Sequence, residues 1–244
     1  MLTFDAFSTE YRRIFNENNL ESFCKEEIIQ TFYDFTNLLM EENSHTNLTA
    51  IREIPDIITK HFADCLLPES LFPKNATVLD VGCGGGFPTI PLAIARPDLK
   101  ITAIDSTQKK INFVQKSVNS LKLSNVTAIC ARAEGSELRK LRESFDIVTS
   151  RAMARMSVLI ELTLPFAKIG GQVIALKGAQ GEAELAESMR AIPILGGNSS
   201  PECRKLFLKT DNGDESRTIL IVSKKAITPN AYPRNYSVIS KKPL

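Results

Sequence analysis

The densest chemistry in the chain lies in Asp80-Val-Gly-Cys-Gly-Gly-Gly-Phe87, which holds four of the twelve glycines. Glycine lets a backbone adopt positive φ and approach a ligand closely. The cluster falls between a β-rich run and a helical one, the place where open α/β sheets bind ligands at the carboxyl ends of their strands. A dinucleotide loop needs G-x-G-x-x-G. Gly82 and Gly84 supply its first two positions, but Phe87 stands at the third. That bulk would crowd a pyrophosphate, whereas an adenosyl group without phosphates leaves room for an aromatic ring to pack against it. No Lys-Ser/Thr pair follows the glycines, which excludes a P-loop.

Asp105 follows Gly82 by 23 residues and ends the next β-rich run. A carboxylate there can accept hydrogen bonds from ribose hydroxyls, a feature that NAD and S-adenosylmethionine share. Ala131-Arg-Ala-Glu134 comes after the third run. Alone, Glu134 is an acid favoured at a helix start; on one sheet edge with Gly82 and Asp105 it becomes an adenine wall. Arg151 stands just beyond a fourth run, where it can reach a cofactor or form a surface salt bridge. Lys177, ending a fifth run, and Arg52 are candidate contacts to a polyanion, with plain solvation as the alternative. His61 is a lone helical histidine, read first as packing or capping. Cys83 has no histidine nearby to activate it, so it is a small filler and not a nucleophile. The five cysteines are odd in number and form no CxxC pair, and His45 and His61 are the two histidines. No metal site and no disulfide framework are expected, and a reducing cytoplasm is the simpler setting.

The elements that must position these groups can be read from periodicity. Residues 1–72 read as a helical extension. In Lys25 to Glu42 the stripe Ile28, Phe32, Phe35, Leu39 marks one helix face, a core face and not a base-stacking platform. From residue 73 to 225 short β-rich runs alternate with helical patterns. Strands are expected at Thr77–Val81, Lys100–Ile104, Val126–Cys130, Phe145–Thr149 and Gln172–Leu176. Helices are expected at Phe87–Ala95, Thr107–Leu121, Met153–Lys168 and Gly181–Ile192. Such alternation gives right-handed crossovers and a mostly parallel sheet. Lys205–Leu208 and Arg217–Val222 have only the short polar stretch 210–216 between them, so they form an antiparallel edge hairpin. Seven strands ending in a hairpin differ from the six-stranded parallel dinucleotide fold.

The chain has 244 residues, 43% hydrophobic and 24% charged, enough for an ordinary globular core. No apolar run approaches a bilayer span, and the opening Met1-Leu-Thr-Phe-Asp carries no leader pattern, so no membrane role is expected. The net charge of +2 is uneven. Residues 1–43 hold nine acids against three bases, while Lys224 to Leu244 holds five bases and no acid. A mildly basic body with a basic tail at 226–244 fits a polyanion partner; a solvated tail that aids solubility fits the charge equally well.

Asp80-Val-Gly-Cys-Gly-Gly-Gly-Phe-Pro-Thr-Ile-Pro-Leu-Ala-Ile94 resembles the glycine motif of the glucose-inhibited division protein B (RsmG/GidB) family. Thr46-Asn-Leu-Thr-Ala-Ile51 and Lys60-His-Phe-Ala-Asp64 look like its upstream signatures. Ile104-Asp-Ser106, Ala131–Glu134, Thr149-Ser-Arg-Ala152, Ala175-Leu-Lys-Gly178 and a tail from Tyr232-Pro-Arg234 to Lys242-Pro-Leu244 follow in the family order. Thr89 stands where a glycine is common, Cys65 replaces a usual serine, and the tail lacks a glycine after Tyr-Pro-Arg. The resemblance implies a class I S-adenosylmethionine-dependent methyltransferase. Its fold would be Rossmann-like α/β, a seven-stranded mostly parallel sheet with an antiparallel edge hairpin and an N-terminal helical extension. It implies methylation of a guanine N7 in the decoding-region loop of 16S ribosomal RNA, on RNA or a small-subunit assembly particle, by a monomer. It places S-adenosyl-L-methionine contacts on Gly82, Phe87, Ala133, Glu134 and Arg151, with Asp105 near the ribose; with an RNA substrate, Arg52, His61 and Lys177 become candidate RNA contacts, and Arg151 could meet the guanine O6 instead.

Guanine N7 carries an in-plane lone pair and needs no deprotonation before attacking a sulfonium methyl. No general base is required, none is convincing in the sequence, and no catalytic side chain is assigned. Rate then rests on alignment of nitrogen, methyl and sulfur. The rival readings are a nicotinamide-dependent oxidoreductase, opposed by Phe87 and the hairpin, and a non-catalytic RNA-binding protein, opposed by the intact glycine loop and Asp105.

Overall fold

The computed structural model describes residues 3–244; Met1 and Leu2, the start of the stretch read above for a leader pattern, lie outside them. Five strands run parallel: β1 (Thr77–Val81), β2 (Lys100–Asp105), β3 (Val126–Cys130), β4 (Phe145–Arg151) and β5 (Ala167–Lys177). The hairpin β6 (Glu202–Thr210) and β7 (Gly213–Ser223) adds antiparallel through β7, giving the order β3-β2-β1-β4-β5-β7-β6. Register sets Val81 opposite Ile104, Asp105 opposite Cys130 and Arg151 opposite Leu176. The residues that follow the parallel strands therefore emerge along one edge.

Alternation along each strand divides the core in two. Val78, Ile101, Ile147, Ile174 and Ile219 face one layer. Their neighbours Leu79, Ile104, Val148, Val173 and Leu220 face the other. Both faces are covered, so β1 is buried through nearly all its length, as a central parallel strand must be. The first layer is covered by α5 (Thr89–Ala95), α6 (Gln108–Ser120) and the helices ahead of β1. The second is covered by α7 (Met156–Thr163), α8 (Gly181–Ser188), α9 (Ala191–Ile194) and α10 (Tyr236–Lys241).

Ahead of β1 stand α1 (Phe4–Glu17), α2 (Glu26–Thr46), α3 (Ile54–Ile57) and α4 (Asp64–Leu66), the last two joined by a π-helical turn at Ile58–Ala63. Phe32, Phe35 and Leu39 are fully buried, and Ile29 takes the inward place beside the half-buried Ile28. Ring contacts run from Tyr11–Phe15 (3.8 Å) through Phe32–Phe62 (4.8 Å) to Phe35–Phe87 (5.8 Å). An aromatic core thus reaches from the N-terminal helices to the glycine loop.

Two expected helices are shorter than periodicity suggests. In place of Met153–Lys168, α7 begins at Met156, because Arg155 is extended and Met156 N–H donates to Glu184 at 2.8 Å. It gives way to a tight turn at Leu164–Phe166, where Pro165 has no N–H to donate, and β5 begins at Ala167 opposite Phe145. Gly181–Ile192 divides into α8 and α9, since Pro193 cannot supply the bond that would continue the helix. The hairpin strands are longer than their alternation implies. Thr210 pairs with Gly213, leaving a two-residue turn at Asp211-Asn212.

Residues after β7 are not a free basic tail. Lys224 is fully buried and donates to the carbonyls of Leu164 (3.0 Å) and Leu195 (3.3 Å) and to the hydroxyl of Thr228. Arg142 donates to the Thr228 (2.9 Å) and Tyr232 carbonyls. Arg234 pairs with the buried Glu161 at 2.6 Å, and Ile239 of α10 is buried. Two of the five bases are thus engaged inside the fold, which corrects the solvated-tail alternative for them. No helix among the described residues is long and apolar enough to cross a membrane.

Candidate active site

A cavity of about 550 Å³ opens over the carboxyl ends of β1 to β4. Its floor is the glycine loop. The N–H groups of Gly82 and Cys83 both donate to the Ile104 carbonyl, at 2.8 and 3.0 Å, so β2 ties the loop down as β1 ends. Gly84 N–H donates to Asp105 Oδ2 at 3.0 Å, and Thr107 N–H to Oδ1 at 2.8 Å. Asp105 therefore shapes the loop, and Lys110 stands 3.8 Å from it. Gly82 has φ +77° and Gly84 φ +58°, and a Cβ on Gly84 would meet open space. A Cβ on Gly82 would lie 2.7 Å from Met153 Cγ.

Phe87 lies at the end of the loop with its ring stacked on His61, centroids 4.2 Å apart. The Arg151 guanidinium sits 5.3 Å above the same ring, within cation–π range. Arg151 donates to Lys60 O (2.9 Å) and His61 Nδ1 (3.1 Å) and pairs with Asp64 (3.3 Å). Arginine has no acceptor, so His61 Nδ1 accepts and the ring proton resides on Nε2, facing Thr49 Oγ1 at 2.7 Å. Burial and the adjacent guanidinium push the His61 pKa down to about 3. His61 lies within the π-helical turn Ile58–Ala63.

Asp80 is fully buried. Its Oδ2 accepts from the Thr89 hydroxyl at 2.6 Å, so the threonine that departs from the family's glycine caps this acid. Asp80 Oδ1 has no partner among the described residues, and burial pushes the pKa up to about 7.

A second cavity of about 480 Å³ shares His61, Arg151, Ala152 and Met153 with the first and extends over the ends of β4 and β5. Lys177 and Glu184 also line it, paired at 2.8 Å. Asp64 bridges Arg151 and Arg217, the latter at 2.7 Å.

The structure brings Gly82, Phe87, Asp105, Ala133, Glu134, Arg151 and His61 to the first cavity. Lys177 opens only on the second and is mostly buried, not solvated. Arg52 is exposed and joins neither. Arg151 does form an ion pair, but in a half-buried setting and not on the surface. Thr49, Met153 and Tyr236 also line the first cavity, and Asp64, Glu184 and Arg217 the second. Asp64 carries a signal in sequence, since it ends the Lys60–Asp64 stretch; Tyr236 and Glu184 carry none. No group of three or more His, Cys, Asp or Glu suited to a metal occurs among the described residues.

Residues 28–204 match the family described as GidB: rRNA small subunit methyltransferase G. The ribosomal RNA small subunit methyltransferase G of Leuconostoc mesenteroides is 43% identical over 221 residues, covering 88% of this chain and 91% of that protein. The Staphylococcus aureus (strain JH9) protein of the same description is 44% identical over 230 residues, covering 93% and 94%. In fold, the chain is similar to a SAM-dependent methyltransferase of Aquifex aeolicus, with TM-score 0.50 and 19% identity over 69% of this chain and 93% of that one. YcgJ of Bacillus subtilis aligns with TM-score 0.50 and 14% identity over 68% and 100%. The last two likenesses speak to fold alone.

Proposed function

The chain belongs to the GidB family, rRNA small subunit methyltransferase G, and on that premise we propose that it methylates N7 of a guanine in 16S ribosomal RNA. The methyl donor is S-adenosylmethionine, which supplies an electrophilic methyl group on a sulfonium. The observation that carries this reading is the cavity on the glycine loop. Its volume of about 550 Å³ lies in the range of ligand sites, and Phe87, which stands where a dinucleotide loop has its third glycine, lines it.

Gly82 and Gly84 let the backbone lie against the donor. Asp105 commits one lone pair of each oxygen to the loop and keeps the others for ribose hydroxyls. Ala133 and Glu134 form the adenine wall, Phe87 packs against the adenosyl group, and Arg151 closes the side toward β4. No residue need act as a base, because N7 presents its lone pair without losing a proton. His61 is suited to none of that work, with both ring nitrogens engaged and its pKa far below neutrality. The chain's contribution is alignment, with water excluded by the ring stack at Phe87. Positive charge grows on the methylated ring, and the carboxylates of Asp64 and Glu184 border the space beside it.

N7 in an A-form helix faces a groove too narrow for side chains, so the base must lie in an open loop or be extruded. The partner is the 16S RNA or its assembly particle, in the cytoplasm. Calorimetric titration with S-adenosylmethionine should show saturable binding, and NAD none. Mapping N7-methylguanine in 16S RNA from strains with and without the gene should show one position lost. NAD binding, or an unchanged map, overturns the reading.

A further inference from the structure

The two reactants must touch, so the acceptor space has to border the donor cavity. Two cavities do. One of about 400 Å³ meets it at Ala133 and Glu134, the adenine wall, and so lies at the end remote from the reacting methyl. The other, of about 480 Å³, meets it at His61 and the stretch from Arg151 to Met153. The acceptor belongs in this second space.

Most charges around that space are already satisfied. Lys60 pairs with Asp56 at 2.9 Å and Arg155 with Glu187 at 2.6 Å. Both oxygens of Asp64 are taken, Oδ1 by Arg217 and Oδ2 by Arg151. Glu184 is different. Its Oε2 accepts from Lys177 Nζ and Met156 N–H, each at 2.8 Å, while Oε1 accepts from no described residue. Lys177 Nζ has three protons; it donates to Glu184 and to the Ala154 carbonyl, which leaves one free. A free donor and a free acceptor therefore sit side by side, in a wall where the Lys177 residue is only 9% exposed.

That pair is the complement of one nucleobase edge. Guanine presents the O6 acceptor next to the N1–H and N2–H donors, whereas adenine presents the opposite order. With the Watson–Crick edge against Lys177 and Glu184, N7 lies round the corner from N1 on the other side of O6, free to face the shared wall. We propose that Glu184 and Lys177 select the guanine: Glu184 Oε1 accepts from N1–H and N2–H, and Lys177 Nζ donates to O6. Adenine would leave the buried Lys177 amine and the partly buried Glu184 carboxylate both unpaired, the kind of mismatch that discriminates between substrates. The assignment rests on the methyltransferase reading, and its test separates the two.

Small-subunit particles are reconstituted with 16S RNA carrying guanine or inosine at the mapped position. Inosine keeps N7, O6 and N1–H and lacks only the N2 amine. Wild-type protein should prefer guanine about tenfold in kcat/KM, the worth of one good hydrogen bond. In Glu184→Ala the ratio should fall to about twofold or less, with S-adenosylmethionine affinity retained, since Glu184 does not line the donor cavity. If that variant melts early, Glu184→Gln carries the test. It keeps an oxygen for Met156 N–H but turns an amide donor toward the guanine donors, and its ratio should drop likewise. A guanine preference unchanged in a folded variant, or absent from the wild type, overturns the pair's role. A wild type that binds no S-adenosylmethionine and methylates neither particle overturns instead the functional reading beneath it.

Discussion

His61 shows how a single side chain can be placed at a site and yet be barred from its chemistry. It is wedged between Thr49, Arg151 and the Phe87 ring. With a folded pKa of about 3 against an ordinary 6.5, the native state binds fewer protons than the unfolded chain between those values. Its contribution to stability is therefore present above pH 6.5 and lost as pH falls toward 3. His61→Gln should flatten that limb of the stability profile in pH-dependent melting. Donor affinity in the wild type should not vary between about pH 6 and 8 on its account. Asp80 acts with the opposite sign. Burial raises its pKa to about 7, so its destabilising effect grows as pH rises from about 4 to 7. Asp80→Asn, which keeps an acceptor for Thr89, should melt higher than the wild type at about pH 8 and not at about pH 4. Gly82→Asp meets Met153, a flexible neighbour that can yield, and strains a backbone held at φ +77°, a region Asp tolerates better than most residues. The protein should fold, with donor affinity down about a hundredfold or more by calorimetry. Gly82, Asp105 and Glu134 are legible in the sequence because each lies at, or within four residues of, the carboxyl end of its own strand. Glu184 is not legible there as a site residue, and Asp64 only as the end of the Lys60–Asp64 stretch, since their partners Met156 and Arg217 lie far along the chain and only folding makes them neighbours.

At the scale of elements, strand positions are readable where alternation is strict, and β1, β2 and β3 lie within a residue of expectation. Boundaries fail where a proline or a paired carboxylate intervenes, as at Pro165, Pro193 and the start of α7. The C-terminal helix is the element least visible in sequence. Only six residues long, it has too few turns to show a periodicity, yet it carries Tyr236 to the rim of the donor cavity at 40% exposure. Tyr236→Ala should weaken S-adenosylmethionine binding several-fold by calorimetry, and Tyr236→Phe should restore it, because the ring supplies apolar contact. The aromatic bridge from α2 offers a contrasting test. Phe35 is fully buried against Phe62, Phe87 and Phe113, so Phe35→Ala should cost about 3–5 kcal/mol in denaturant unfolding.

For the whole molecule, charge asymmetry matters more than net charge. Residues 1–43 are strongly acidic while the remainder is basic. Contact with RNA then falls to the body, and association should weaken with ionic strength through counterion release. A log–log plot of binding against salt should slope downward by roughly one unit per phosphate neutralised, and a flat plot would argue against an RNA partner.

Stretches from opposite ends of the sequence meet at one opening: Thr49 and His61 precede the first strand, and Tyr236 follows the last. A nascent polypeptide can therefore complete its central sheet before it can grip its small molecule. Full affinity arrives only when the final helix has left the translating machine and packed in place, so a premature stop just short of it, which also removes the buried Ile239, would yield a less stable protein with a leaking pocket.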